Sequence, residues 1–130
     1  MLRRLLCALA VLAAGVCPAA AEPYVITDQS AATLTATVTG TARLVDGYHE
    51  ANVWIYVTAA SGSPTLDVAI QTAPDDDGPW ATLSSFTQIT GTGTSLKTAS
   101  ANIGPWMRLL YTVGGSSPSL TLSSYIALKK

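Results

Sequence analysis

After Glu22, apolar residues fall again and again on every second position, and this alternation narrows what the chain can fold into more than any other feature. A period of two puts one set of side chains on one face of a pleated strand, whereas a helix needs a period of 3.6. Thr33 to Thr39 alternates without a break until Gly40, which predicts one continuous strand. In Val53 to Thr58, Val53, Ile55 and Val57 share one face and Trp54, Tyr56 and Thr58 the other; both faces are largely apolar, as in a central strand. Leu66, Val68 and Ile70 alternate with Asp67, Ala69 and Gln71, which predicts one dry and one wet face. Met107, Leu109, Tyr111 and Val113 form a further series, and Leu120, Leu122, Ile126 and Leu128 another, with a bulge expected where the apolar pattern slips at Ser124. Gly91 to Asn102 is the weakest-patterned stretch and reads as a long loop or an edge strand. The most helix the sequence allows is a short turn around His49 to Asn52.

Turn-forming groups separate these runs: Asp46-Gly47, Ser61-Gly62-Ser63-Pro64, Asp77-Gly78-Pro79, Gly91-Thr92-Gly93, Gly104-Pro105 and Gly114 to Pro118. Short strands at near-regular spacing predict an all-β fold, an antiparallel β-sandwich or jelly-roll-like single domain. There is also an internal echo. Thr58 to Val68 aligns without a gap on Thr112 to Leu122, each copy a strand, a Ser-Pro turn and a strand. Two such units can pack as facing halves of one sandwich; duplication and convergence of turn chemistry both account for the likeness.

The first residues read differently. Arg3 and Arg4 precede an apolar run from Leu5 to Val16, and Ala19-Ala20-Ala21 supplies small residues for cleavage before Glu22. This divides the chain into a signal-peptide-like leader over 1–21 and a sandwich domain over 22–130. A membrane helix needs roughly 20 apolar residues, and Pro18 breaks this run, so no permanent span is expected. Cys7 and Cys17 both lie in the leader, which leaves the domain no disulfide.

Charged residues make up 12% of the chain and the formal net charge is −1, which argues against nucleic acid as a partner, since phosphates are neutralised by clustered Lys and Arg. His49 is the lone histidine; beside Glu50 it reads as a solvated pair, and no G-x-S-x-G elbow or other placed nucleophile accompanies it. The expectation is a non-enzyme without a cofactor. Asp75, Asp76 and Asp77 gather carboxylates in one turn and make a weak Ca²⁺ candidate, although their spacing does not follow a calcium loop and a hairpin turn explains them more simply. Trp80 and Trp106, each following a proline, together with Arg108 and Tyr125, are the candidate binding residues, because an aromatic face pairs with the C–H surface of a sugar ring. Trp54 and Tyr56 are assigned to core or inter-subunit packing. Arg108 is expected to pair with Asp67 or the acidic turn.

Val57 to Val68, Gln71 to Trp80, Phe86 to Thr90 and Leu110 to Leu120 together resemble a family of small β-sandwich proteins encoded among the structural genes of tailed bacteriophages and prophages. The likeness covers a little over half of the chain and resides in turn and core motifs. It implies a non-enzymatic virion component on the capsid or at a tail interface, with protein partners or self-association. The Asp77-Gly78-Pro79-Trp80 turn also locally resembles discoidin-type binding sandwiches. The leader departs from the phage pattern, because virions assemble in the cytoplasm; a secreted or periplasmic carbohydrate-binding module is the alternative.

Overall fold

The alternating residues become the inner faces of two sheets. The computed structural model describes residues 24–130, which carry nine strands and no helix: β1 (Tyr24–Leu34), β2 (Val38–Thr39), β3 (Arg43–Leu44), β4 (Glu50–Ser61), β5 (Thr65–Ala73), β6 (Ala81–Ser85), β7 (Gly93–Ala99), β8 (Trp106–Gly114) and β9 (Ser119–Lys129). Four strands form one sheet in the order β1-β9-β4-β7; the other has the order β2-β8-β5-β6, with β3 also on β8. β2 and β3 meet β8 at successive positions, Tyr111 and Leu110, then Met107 and Trp106, so they act as one interrupted edge strand. Taken that way, the two orders are those of an antiparallel jelly roll.

Val53, Ile55, Val57, Leu120, Leu122, Ile126 and Leu128 from the first sheet face Leu66, Val68, Ile70, Met107, Leu109 and Tyr111 from the second, all at most 2% exposed. Each such apolar side chain contributes about 1.5–3 kcal/mol when taken out of water, so this interlayer holds the fold without a cross-link. β4 lies inside its sheet, between β9 and β7, as its two apolar faces predict. The weakly patterned stretch supplies the edge strand β7, on which Lys97 stands opposite inward-facing Val53; an inward-directed charge discourages pairing with foreign strands.

Four expectations need correction. Thr33–Thr39 is not one strand: β1 ends at Leu34, and the chain crosses there to the other sheet. The long strand before it escaped notice because irregularities between Thr27 and Gln29 and between Gln29 and Ala32, with Ala31 at φ 45°, break its alternation. Ser124 is not a bulge in β9: it keeps the inward phase, fully buried, and the irregularity is in β1 opposite it. No helical turn forms at His49–Asn52, where β4 begins at Glu50, and Glu50 pairs with Lys129 at 2.9 Å rather than with His49. The leader, its cleavage site and both cysteines lie outside the described residues.

The internal echo has a structural counterpart. Both units cross between the sheets, β4 to β5 and β8 to β9, rather than forming hairpins within one sheet. Under the correspondence that takes Thr58 to Thr112, the pair Val57↔Leu122 becomes Tyr111↔Val68, and both pairs are observed. The units are therefore related by a local two-fold that exchanges the sheets. Ser63 and Ser117 occupy the same left-handed conformation, φ 46° and 49°. The corners also touch, since a Cβ at Gly62 would strike the Ser117 carbonyl and one at Gly115 the Ser63 carbonyl.

Candidate functional site

Alternation along β8 buries Met107, Leu109 and Tyr111 and so turns Trp106 and Arg108 to the outer face of the five-stranded sheet. In the antiparallel register Gln71 is directly opposite Arg108, and Ala73 is opposite Trp106. The Arg108 guanidinium lies over the Trp80 ring, 4.2 Å from its centroid, and its Nε donates to Gln71 Oε1 at 2.8 Å. Trp80 reaches this position because the chain turns back at Gly78, where φ is 100° and a Cβ would come within 2.9 Å of Trp80 Cδ1. The approach to Trp106 is fixed separately: Gly104 N–H donates to Thr72 Oγ1 at 2.7 Å, and that hydroxyl donates to the Trp106 carbonyl at 3.1 Å. Leu44 of β3, 61% exposed, flanks Trp106 on its other side.

Three of the four candidate binding residues thus share one face. Arg108 does not pair with Asp67, as expected from the sequence, because the register sets Asp67 opposite Thr112, four residues or about 13 Å along the strands from Arg108; Asp67 instead accepts from Gln88 Nε2, at 3.2 and 3.1 Å. Nor does it form an ion pair with the acidic turn. Gln71 and Leu44, which complete the face, carried no signal of their own; only strand register brings them to Arg108 and Trp106.

Tyr125 stands apart, on the outer face of the four-stranded sheet. There Thr27, Tyr125, Trp54 and Leu96 form a row across β1, β9, β4 and β7. Tyr125 is 37% exposed, Leu96 55% and neighbouring Tyr56 47%. Tyr56 is therefore a surface residue and Trp54 is half-buried on this outer face, and neither joins the core between the sheets. The charges of this face, Glu50 and Lys129, neutralise each other, and the Lys129 contact holds the Glu50 carboxyl below its usual range.

Inside the sandwich is a polar chain that sequence reasoning missed. Gln29 N–H donates to Ser124 Oγ at 3.0 Å, Ser124 Oγ is 2.6 Å from the Tyr111 hydroxyl, and that hydroxyl donates to Asp28 Oδ2 at 2.7 Å. The Asp28 side chain is only 1% exposed and meets Arg43 Nη2 at 3.9 Å. Burial, and after it the Asp28 charge, push the Tyr111 phenol far above its ordinary value of 10.0. The one sequence signal was Ser124 interrupting an apolar series.

Asp75, Asp76 and Asp77 form a solvated turn in which Asp75 Oδ1 accepts from Asp76 N–H at 2.7 Å. The hydrogen bond with Asp75, then the Asp77 charge, hold the Asp76 carboxyl above its usual range. Among the described residues, no three ligating side chains gather into a metal site, and this turn is not one. A cleft of about 310 Å³ at the β6–β7 edge is lined by Phe86, Thr87, Ser95, Leu96 and Lys97, with no carboxylate or imidazole. No described helix is long and apolar enough to cross a membrane.

No protein-family model matches the chain, and no curated protein matches it. Among solved structures it is similar to the crystal structure of the SPBc2 prophage-derived protein YomS, with a TM-score of 0.52 and 14% identity over 88% of this chain and 99% of that one. At that identity the likeness is one of fold.

Proposed function

We propose that this chain is a non-enzymatic structural module of phage type, a capsid or tail component that assembles with copies of itself through the outer face of its four-stranded sheet. The observation that carries the reading is the outward row of exposed Tyr125 and Leu96 with half-buried Trp54 between them and exposed Tyr56 beside it, because a contiguous apolar patch on a domain's outer face marks an interaction surface. A face whose two charges cancel has little to attract a charged partner and matches an identical face. Strand spacing and rise put its area on the order of 500 Å² per copy, less than the roughly 800 Å² per partner of a standard interface. Single contacts of that size are weak and gain strength in arrays, as virions provide. The jelly roll, used by viral capsid and lectin domains alike, and the prophage origin of YomS support the reading. Sedimentation velocity across a concentration series tests it. Concentration-dependent association abolished by Leu96→Lys is expected; a strict monomer at all concentrations would sink the proposal.

A second reading, a secreted or periplasmic carbohydrate-binding module, is favoured by the leader and by the Trp106–Arg108–Trp80 face. Mass spectrometry of the protein from its native host tests the export half of it, with a mature terminus at Glu22 as the expected product.

A further inference from the structure

Arg108 is half-buried and its orientation is fixed twice, by the Trp80 ring beneath it and by Gln71 at its Nε. Both partners are uncharged. Among the described residues, the ion pairs are Arg43–Asp28 and Lys129–Glu50, and no acceptor is bonded to the terminal nitrogens of Arg108. A guanidinium held flat by one edge presents its remaining N–H groups as a fork, the geometry that takes a carboxylate through two parallel bonds. Exposed Leu44 and half-buried Trp106 make an apolar pair beside it, and Trp106 is two residues from Arg108 on the same strand face, about 7 Å along the strand. That separation matches a six-membered ring with an acid group at its rim.

We infer that this face binds an acidic saccharide, its carboxylate on the Arg108 fork and its ring on the Trp106–Leu44 shelf. The inference stands apart from the assembly proposal, since it uses the opposite sheet. It sharpens the carbohydrate reading in one respect: Trp80 is not the sugar platform, because Arg108 covers one face of its ring, and it serves to position the guanidinium. Carboxylates are favoured over polyanions, because Asp75, Asp76 and Asp77 in the adjoining β5–β6 turn repel ligands of high charge.

NMR titration of the intact protein tests this, following the indole N–H signals of Trp80 and Trp106 and the Arg108 Nε–H. The probes are methyl glucuronide, methyl glucoside, acetate and a short poly-glutamate peptide. Glucuronide is expected to shift the Trp106 and Arg108 signals saturably, with glucoside and acetate each about tenfold weaker or more, since each lacks one half of the contact. Arg108→Lys keeps the charge and loses the fork, so it should weaken glucuronide binding about tenfold; Trp106→Ala should bring glucuronide down to the level of acetate. Equal binding of glucuronide and glucoside, or of glucuronide and acetate, would overturn the inference, as would no response at about 10 mM. Tighter binding of the peptide would overturn it in favour of a protein partner. The four probes on the unmodified protein already decide the matter if a variant fails to fold.

Discussion

Arg43 and Arg108 stand on neighbouring strands, and Arg43 is paired with Met107, the residue before Arg108, yet they do opposite things. Arg43, on the interrupted edge strand, reaches across the open side of the sandwich to Asp28 of the other sheet and donates weakly, at 3.5 Å, to the Thr27 carbonyl. Its partner is a carboxylate almost wholly out of water, joined through Tyr111 and Ser124 to the centre of the core. Arg108 points away from the core, rests on an indole and a carboxamide, and meets no carboxylate. The first arginine sets its charge beside a buried carboxylate of the other sheet, whereas the second has no carboxylate partner among the described residues. Stability should therefore depend on the interior cluster and recognition on the exterior one.

The largest expected effect is at Asp28. Asp28→Ala removes the buried carboxylate to which the Tyr111 hydroxyl donates, and the long contact to Arg43 with it, and should destabilise the fold by about 2–3 kcal/mol in chemical denaturation; most of that loss is the charge-assisted hydrogen bond, since the Arg43 side chain, 32% exposed, can turn to water. A loss comparable to that of an exposed pair would break the comparison. Tyr111→Phe keeps the ring and removes one hydroxyl from two bonds, for an expected loss of about 2 kcal/mol. The same hydroxyl gives the interior cluster a pH signature. Because the native phenol is raised above 10.0, the unfolded state releases a proton near that pH which the native state retains. Stability from this group is complete below pH 10 and falls as the pH rises above it. Tyr111→Phe should flatten that part of the stability–pH curve, read against the parent protein so that lysine titration cancels.

Much of the fold was legible because alternation is a local signal. Val53 to Val57, Leu66 to Ile70 and Leu120 to Leu128 each declare an inner face without reference to any other strand. What alternation does not encode is which sheet a strand joins, so Thr33 to Thr39 read as one strand although the chain changes sheets within it. It is equally blind to bulges, which hid β1. The candidate site was half legible for the same reason. Trp80, Trp106 and Arg108 drew attention by residue type, but Gln71 and Leu44 join them only through register. The interior chain needed three strands to converge, and its members looked ordinary one by one: Tyr111 a core aromatic, Ser124 a flaw in a pattern, Asp28 one acid among eight.

Arg108→Gln should cost about 1 kcal/mol, as for a half-buried cation–π contact that lies between the exposed and desolvated limits, while removing the response to methyl glucuronide. A loss as large as at Asp28 would mean that Arg108 is structural and the distinction between the two arginines false.

The smallest expected change in stability is at Leu96, on the edge strand of the opposite sheet. Its side chain is more than half exposed and lies in a row whose other members, Trp54 and Tyr125, remain paired with each other when it is changed. Leu96→Lys should therefore alter monomer stability by no more than about 0.5 kcal/mol. If self-association vanishes while stability and sugar binding stay unchanged, the two outer faces act independently, one for assembly and one for ligand. If association persists, contacts between copies lie elsewhere. If stability falls sharply, Leu96 belongs to the packing of β7 on β4, and the exposed row is an extension of the core rather than a surface kept for a second copy.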